Sequence, residues 1–208
     1  MIIIAFSGKK QSGKDTAAAR LIEHHGFKRL AFADVLKDMT AEQYSIPREW
    51  FDDPERKEIA LTQFPIGPRE QFSEMIARFM QREFAYREGL LYWTPRALLI
   101  LEGSVKRSVS SQYWVSKVIE KIRTYEDDCA RTVVSDARYV AEIEHLREAF
   151  GDELLTWRIN RPELPVVSTD PSECDLDDYQ FDFITENAGT VEEFLSQIHR
   201  TFVNSIGG

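Results

Sequence analysis

A glycine-bearing turn between an apolar run and a helical pattern narrows the fold of this chain more than any other feature. Gly8-Lys9-Lys10-Gln11-Ser12-Gly13-Lys14 spells GxxxxGK. Residues 2–6 before it are apolar and β-branched without alternation, as a strand buried on both faces requires. Residues 14–25 after it read as a helix carrying Ala17, Ala18, Ala19, Leu21 and Ile22, with Gly26 as its stop. The physics of the turn asks for these residue types. Glycines let the backbone curl so that successive N–H groups face a phosphate. The helix N-terminus adds partial positive charge, and Lys14 reaches the β- and γ-phosphates. The plain alternative is a surface turn with a solvated lysine. One departure narrows the reading further. The pattern wants Ser or Thr after the lysine, whereas this chain has Asp15 and then Thr16. A carboxylate beside Mg²⁺ is chemically sound, and an acid in the first turn suits the helix dipole. The variant disfavours a generic ATPase and favours a subclass.

Composition bounds the rest. A chain of 208 residues, 43% hydrophobic and 29% charged, suits one α/β domain with inserted parts. A net charge of −9 makes it a poor partner for nucleic acid or an anionic membrane. Cys129 and Cys174 show no CxxC spacing, and the four histidines suggest no metal site. The first six residues lack a basic flank, and no run approaches the roughly 18 apolar residues of a membrane span. A cytoplasmic protein is expected.

Beyond the turn, strands are expected at residues 27–33, 132–135, 154–159 and 181–185. Asp34 is the expected cap of a helix through Val35, Leu36 and Met39. Residues 46–68, with four prolines, read as irregular with one short helix. Phe72, Met75, Ile76, Phe79 and Met80 recur at helical spacing. Thr94-Pro95 opens a short helix that Gly103 closes, its run 97–101 buried all round. Trp114, Val115, Val118, Ile119 and Ile122 mark one face of another. Residues 140–150 form a helix stopped by Gly151, and residues 160–178 a long loop. Thr190 and Glu193 make a capping box for the last helix. Strands alternating with helices predict a mostly parallel sheet covered on both faces, with ligands beyond the strands' carboxyl ends. That rule points to residues 8–16, 136–138 and 160–161. No DxxG and no NKxD occurs, which disfavours a guanine-specific switch and leaves a small-molecule kinase.

Residues 6–16, reading FSGKKQSGKDT, resemble the SGxxxSGKDT loop of phage deoxynucleoside monophosphate kinases. The likeness continues in Gly26-Phe27-Lys28-Arg29, in residues 32–37 and 94–99, and in Tyr113-Trp114-Val115. It resumes in Val134-Ser135-Asp136-Ala137-Arg138 with Glu142, in Asn160-Arg161-Pro162, in Ser172-Glu173 and in residues 184–187. Residues 40–90 match poorly. Phosphomevalonate kinase of the human type shares the GKD loop, the DxR block, and the Ser-Glu-Cys and Glu-Asn segments, and is the rival. The blocks at 94–99 and at Trp114 favour the nucleotide enzyme. The resemblance implies a P-loop NTPase-type three-layer sandwich: a single kinase domain with a helical acceptor-binding insertion at about residues 40–125 and a lid-like loop at about 160–178. It also implies a small nucleotide substrate, ATP with Mg²⁺, and a homodimer. A nucleotide-binding module without catalysis is a third reading.

The resemblance implies roles residue by residue. Gly8, Lys10, Gly13, Lys14, Asp15 and Thr16 serve the ATP phosphates, and Asp15, Thr16 and Asp136 the metal. Asp136 holds Mg²⁺ through water or positions the acceptor, and Arg138 forks onto the acceptor phosphate. The plain alternative for this pair is a helix N-cap and an exposed arginine. Lys37 and Arg96 are further phosphate ligands or snorkelling surface cations. Trp114 lies near the acceptor base or is simply core, and Glu142 orients Arg138. Arg161, at the lid, meets ATP. The acids Asp170, Glu173, Asp175, Asp177 and Asp178 are an odd lining for a phosphate site, and read as a solvated loop. Arg69, Arg78, Arg82 and Arg87 flank the helix at 72–80 as a solvated face, with acceptor or dimer contact the minority view.

Overall fold

A computed structural model of the chain describes residues 1–68, 84–125, 131–163 and 171–206. In chain order its elements are β1 (Ile2–Ser7), α1 (Lys14–His25), β2 (Lys28–Leu30), α2 (Phe32–Tyr44), β3 (Pro65–Pro68), β4 (Ala85–Arg87), β5 (Leu90–Tyr92), α3 (Pro95–Val109), α4 (Tyr113–Arg123), β6 (Arg131–Val134), α5 (Val140–Phe150), β7 (Leu154–Asn160), α6 (Pro171–Cys174), β8 (Phe183–Glu186) and α7 (Val191–Ile206). Short 3-10 turns lie at Arg48–Phe51, Arg56–Glu58 and Gly151–Glu153. The chain divides into two compact units, one of Met1–Ala33 with Gln112–Gly208, the other Asp34–Ser111.

The first unit is built on a five-stranded sheet in the order β2-β6-β1-β7-β8. Every pairing is parallel. β1 is central, which explains its unalternated sequence: Ile3, Ile4, Ala5 and Phe6 are wholly buried. Ile4 and Phe6 join one core with Ala17, Ala18 and Leu21 of α1, Trp157 and Ile159 of β7, and Phe194, Ile198 and Phe202 of α7. Ile3 and Ala5 lie on the opposite face by strand alternation. α5, with α4 packed against it, lies against β7. This is the expected α/β architecture, a mostly parallel sheet with helices.

Helix ends follow local chemistry. Gly26, in the left-handed region at φ 70°, ends α1. Thr190 and Glu193 cap α7 reciprocally: the Glu193 carboxylate accepts the Thr190 N–H at 2.8 Å, and the Thr190 hydroxyl accepts the Glu193 N–H at 3.2 Å. The start of α2 departs from expectation. The helix begins at Phe32, ahead of Asp34, and its cap comes from far along the chain. Asp136 accepts the Phe32 N–H at 2.8 Å and the Ala33 N–H at 3.0 Å, one on each carboxylate oxygen. A carboxylate on two helix N-terminal amides satisfies orphan donors and the dipole together, so no local cap is needed.

The second unit holds most of α2, α3, two of the 3-10 turns and a three-stranded antiparallel sheet in the order β3-β5-β4. Ala41, Ile46, Phe51, Leu61 and Leu98 form its core. Thr94 caps α3 as expected, its hydroxyl accepting the Ala97 N–H at 3.0 Å. Gly103 does not end that helix, which runs on to Val109. An interior glycine costs a helix only about 1 kcal/mol, and here it packs against Leu36, whose Cδ2 would lie 3.4 Å from an added Cβ. Nor is the run 97–101 buried all round, because Ile100 is 52% exposed. The sequence pattern gives no sign of the small sheet. Its strands are three or four residues long, and β4 and β5 are joined by Glu88 and Gly89, both at positive φ, the geometry of a tight hairpin turn. The expected helix at 72–80, with Arg69, Arg78 and Arg82, lies outside the described residues. Arg87 is on β4 and pairs with Glu88. Among the described residues no helix is long and apolar enough to cross a membrane.

Candidate active site

The parallel register brings the carboxyl ends of four strands together. Ala5 of β1 is level with Val134 of β6, Ser7 with Arg158 of β7, and Asn160 with Glu186 of β8. The chain stretches just past these ends are residues 8–13, Asp136 to Arg138, Arg161 and Asn187.

The loop after β1 is tightly fitted. Gly8 has φ 149°, and a Cβ there would collide with the Ile159 carbonyl oxygen of β7. Gly13, at φ 109°, opens α1, and a Cβ there would stand 2.7 Å from the Asn187 side-chain nitrogen. Gln11 also takes positive φ, at 64°. The Ser12 N–H donates to the Lys9 carbonyl at 3.1 Å, and Asn187 Nδ2 donates to the Ser12 carbonyl at 2.9 Å. The glycines are thus required by close approach as well as by backbone sign. Lys14 folds back into the curl: its Nζ donates to the carbonyls of Gly8 at 2.6 Å and Lys9 at 2.8 Å. The side chain is 8% exposed. Burial pushes its pKa below the ordinary lysine value, and the Arg138 charge adds to this. Glu173, Asp15 and Asp136 pull the other way.

Arg138 pairs with Glu173 through its guanidinium. Its backbone is held by Glu142, whose Oε2 accepts the Arg138 N–H at 2.8 Å and the Tyr139 N–H at 3.1 Å. Glu142 thus orients the turn bearing Arg138. Arg161 donates to the Gln11 carbonyl at 3.4 Å. It lines a cavity of about 270 Å³ with Ser12 to Thr16 of the loop and α1, and with Asn187, Val191 and Phe194 at the β8–α7 end.

Asp175, Asp177 and Asp178 are exposed, as a solvated loop requires, but Glu173 is not, and three of these acids have partners in the fold. Glu173 also accepts the Lys10 N–H at 2.8 Å. Asp177 pairs with Lys9 and Arg158, both at 2.6 Å. Asp175 accepts the Val140 N–H at 2.7 Å, capping α5. They are drawn there by the cations and amide donors of the loop and its neighbours. Asp170 lies outside the described residues. The resemblance blocks contain Glu173 and Asn187 without giving either a role; their adjacency to the loop is the signal the fold supplies.

The residues present fit a nucleotide triphosphate tail and Mg²⁺. An internal carboxylate already rests on a loop amide, so the donor set takes an anionic oxygen. Ser12 Oγ is buried without a hydrogen-bond partner beside it. Asp15, with its side chain 84% exposed, and Thr16 line the cavity. No three His, Cys, Asp or Glu among the described residues are placed to hold a metal by themselves. Mg²⁺ commonly takes one or two carboxylates and completes its shell from substrate phosphates and water. Asp136 has both oxygens on helix amides, so it anchors α2 whatever else it does.

Lys37, Arg96 and Trp114 are placed differently. Lys37 bonds Asp52 at 2.7 Å and Arg96 pairs with Glu58, both within the second unit. Trp114 is 5% exposed on the buried face of α4 beside Val115, Val118 and Ile122, the core position.

No family model matches the chain. A protein of Acanthamoeba polyphaga mimivirus, provisionally described as a deoxynucleotide monophosphate kinase, is 29% identical over 203 residues, covering 95% of this chain and 94% of that one. Among solved structures, TT1252 from Thermus thermophilus matches with a TM-score of 0.50 and 15% identity, covering 100% and 98% of the two chains. Dephospho-CoA kinase from Campylobacter jejuni matches with a TM-score of 0.50 and 12% identity, covering 98% and 96%. Identities this low establish the fold alone, an α/β arrangement around a mostly parallel sheet. The viral relative agrees with the phosphotransferase reading made from the loop.

Proposed function

We propose that this chain is an ATP- and Mg²⁺-dependent deoxynucleoside monophosphate kinase, carrying the γ-phosphoryl of ATP to the phosphate of a dNMP. The observation that carries the reading is the desolvated ammonium of Lys14 inside the curled loop, with Arg138 near enough to act on its charge. Glu173 supplies the anionic oxygen that these cations now face, and a phosphate chain supplies the same charge in its place.

The reaction asks little covalent chemistry of the protein. An acceptor phosphate oxygen bonds to the γ-phosphorus, the bond from that phosphorus to the β–γ bridging oxygen breaks, and ADP leaves. The protein aligns the partners and spreads charge. Gly8, Lys10, Gly13 and Lys14 hold the donor phosphates, and Asp15 and Thr16 would hold Mg²⁺, which would supply charge neutralisation to the triphosphate. Arg138 takes the acceptor phosphate in a fork, Glu142 fixes the turn that carries it, and Arg161 closes the cavity beside Gln11. Asp136 is proposed to position these groups through the backbone it ties. Lys37 and Arg96 carry over as proposed phosphate ligands from the resemblance alone, and Trp114 takes its core alternative. The near full-length likeness to the mimivirus protein supports a nucleotide acceptor over phosphomevalonate.

The test is ADP release from ATP across a panel of dNMPs, NMPs and phosphomevalonate. Turnover is expected with one or more dNMPs. Turnover with phosphomevalonate alone would overturn the acceptor, and none with any acceptor would leave a binding module.

A further inference from the structure

The carboxylate of Glu173 draws on three groups that phosphate transfer needs. Its Oε2 accepts the loop N–H of Lys10 at 2.8 Å, and its Oε1 pairs with the guanidinium of Arg138. Its charge also acts on Lys14. The side chain is only 15% exposed, so water weakens these contacts less than it would at the surface. The turn that carries Glu173 is fastened by other residues. Lys9 bonds the Glu173 carbonyl and Asp177, Arg158 donates to Asp177 and to the Leu176 carbonyl, and Asp175 caps α5. Rotation of one side chain therefore frees the Lys10 N–H and Arg138 while the turn stays in place.

A carboxylate oxygen and a phosphate oxygen compete for the same N–H donors, and both are favoured by charge. We propose that Glu173 is an internal competitor for substrate phosphate, holding the Lys10 N–H and the Arg138 guanidinium until a phosphate displaces it. It thereby sets the affinity of the site. The inference rests on the loop being the nucleotide phosphate site. Displacement sacrifices two charge-assisted hydrogen bonds, so the measured affinity is what remains after that loss.

The experiment is calorimetric titration of the full chain with a non-hydrolysable ATP analogue and Mg²⁺. Glu173→Gln keeps the size and removes the charge, and Glu173→Ala removes the acceptor altogether. Both are expected to lower Kd, by about tenfold for the glutamine. Asp175→Asn serves as the control, because it loosens the same turn without touching the loop, and its Kd should stay at the wild-type value. Weaker or unchanged binding in both Glu173 variants would overturn the inference, as would equal tightening in Asp175→Asn. No uptake by wild type and variants alike would overturn the phosphate-loop reading itself, which is a separate result.

Discussion

Asp136 offers the sharpest separation of fold from chemistry. Its two oxygens take the first amides of α2 at 2.8 and 3.0 Å. Removing a single capping side chain costs about 0.5–2 kcal/mol. Two charge-assisted bonds place Asp136→Ala at the upper end, about 2 kcal/mol. Asp136→Asn keeps one carbonyl acceptor and should lose about half of that, about 1 kcal/mol. For a chain of this length these losses shift the thermal midpoint by about 4–8 °C and about 2–4 °C. The assay is a thermal melt followed by circular dichroism, with ADP release measured on the same samples well below the melt. If Asp136 acts through the backbone it ties, stability and turnover fall in the same order, alanine below asparagine below wild type. Melts indistinguishable from wild type in both variants would refute the anchoring argument. Turnover lost equally in both, with asparagine still well anchored, would instead assign the charge itself to the reaction.

Two further predictions concern titratable groups whose pKa the fold lowers. Lys14 has a folded-state pKa below its unfolded value of 10.5, chiefly through burial, so its charge opposes folding at neutral pH, and that cost is relieved as pH rises through the folded pKa. Lys14→Met should therefore melt no lower than wild type at pH 7 while binding ATP at least about tenfold more weakly; a lower melt with intact nucleotide affinity would contradict the reasoning. His25 is likewise held below its ordinary 6.5, by burial first and then by His199, Arg131, His24 and Arg20. Its unfolded form gains a proton more readily, so stability should decline as pH drops through 6.5 and level off below the folded pKa. Urea titrations at several pH values should show this slope reduced in His25→Gln, and an identical slope would remove His25 from the account.

Legibility from sequence tracked the distance over which each feature is determined. β1, α1 and the capping box of α7 are set by neighbours within a few residues, and their patterns announced them. The loop glycines were legible for the same reason, although the Ile159 carbonyl that excludes a Cβ at Gly8 was not. Glu173 and Lys10 are separated by 163 residues, and Asp136 and Phe32 by 104. No local pattern reports such pairs, so Glu173 reads as one more solvent-facing acid, and nearby Asp34 reads as the cap of α2. Gly103 misled in the opposite direction, since its ordinary role as a stop was overridden by packing against Leu36. Trp114 shows the limit of reading an aromatic on a stripe: spacing placed it on the inner face without saying what that face touches.

The central position of β1 has an assembly consequence. Its two lateral partners, β6 and β7, come from the last 80 residues of the chain, and each delivers one of the arginines beyond its tip. An N-terminal fragment, or a nascent chain still being synthesised, would possess the glycine turn and its lysine but no seat for either of them. Chemical competence in such a topology arrives late and all at once, when distant stretches zip onto a strand made first, so phosphoryl transfer would report completed folding of the whole sheet rather than of the turn alone.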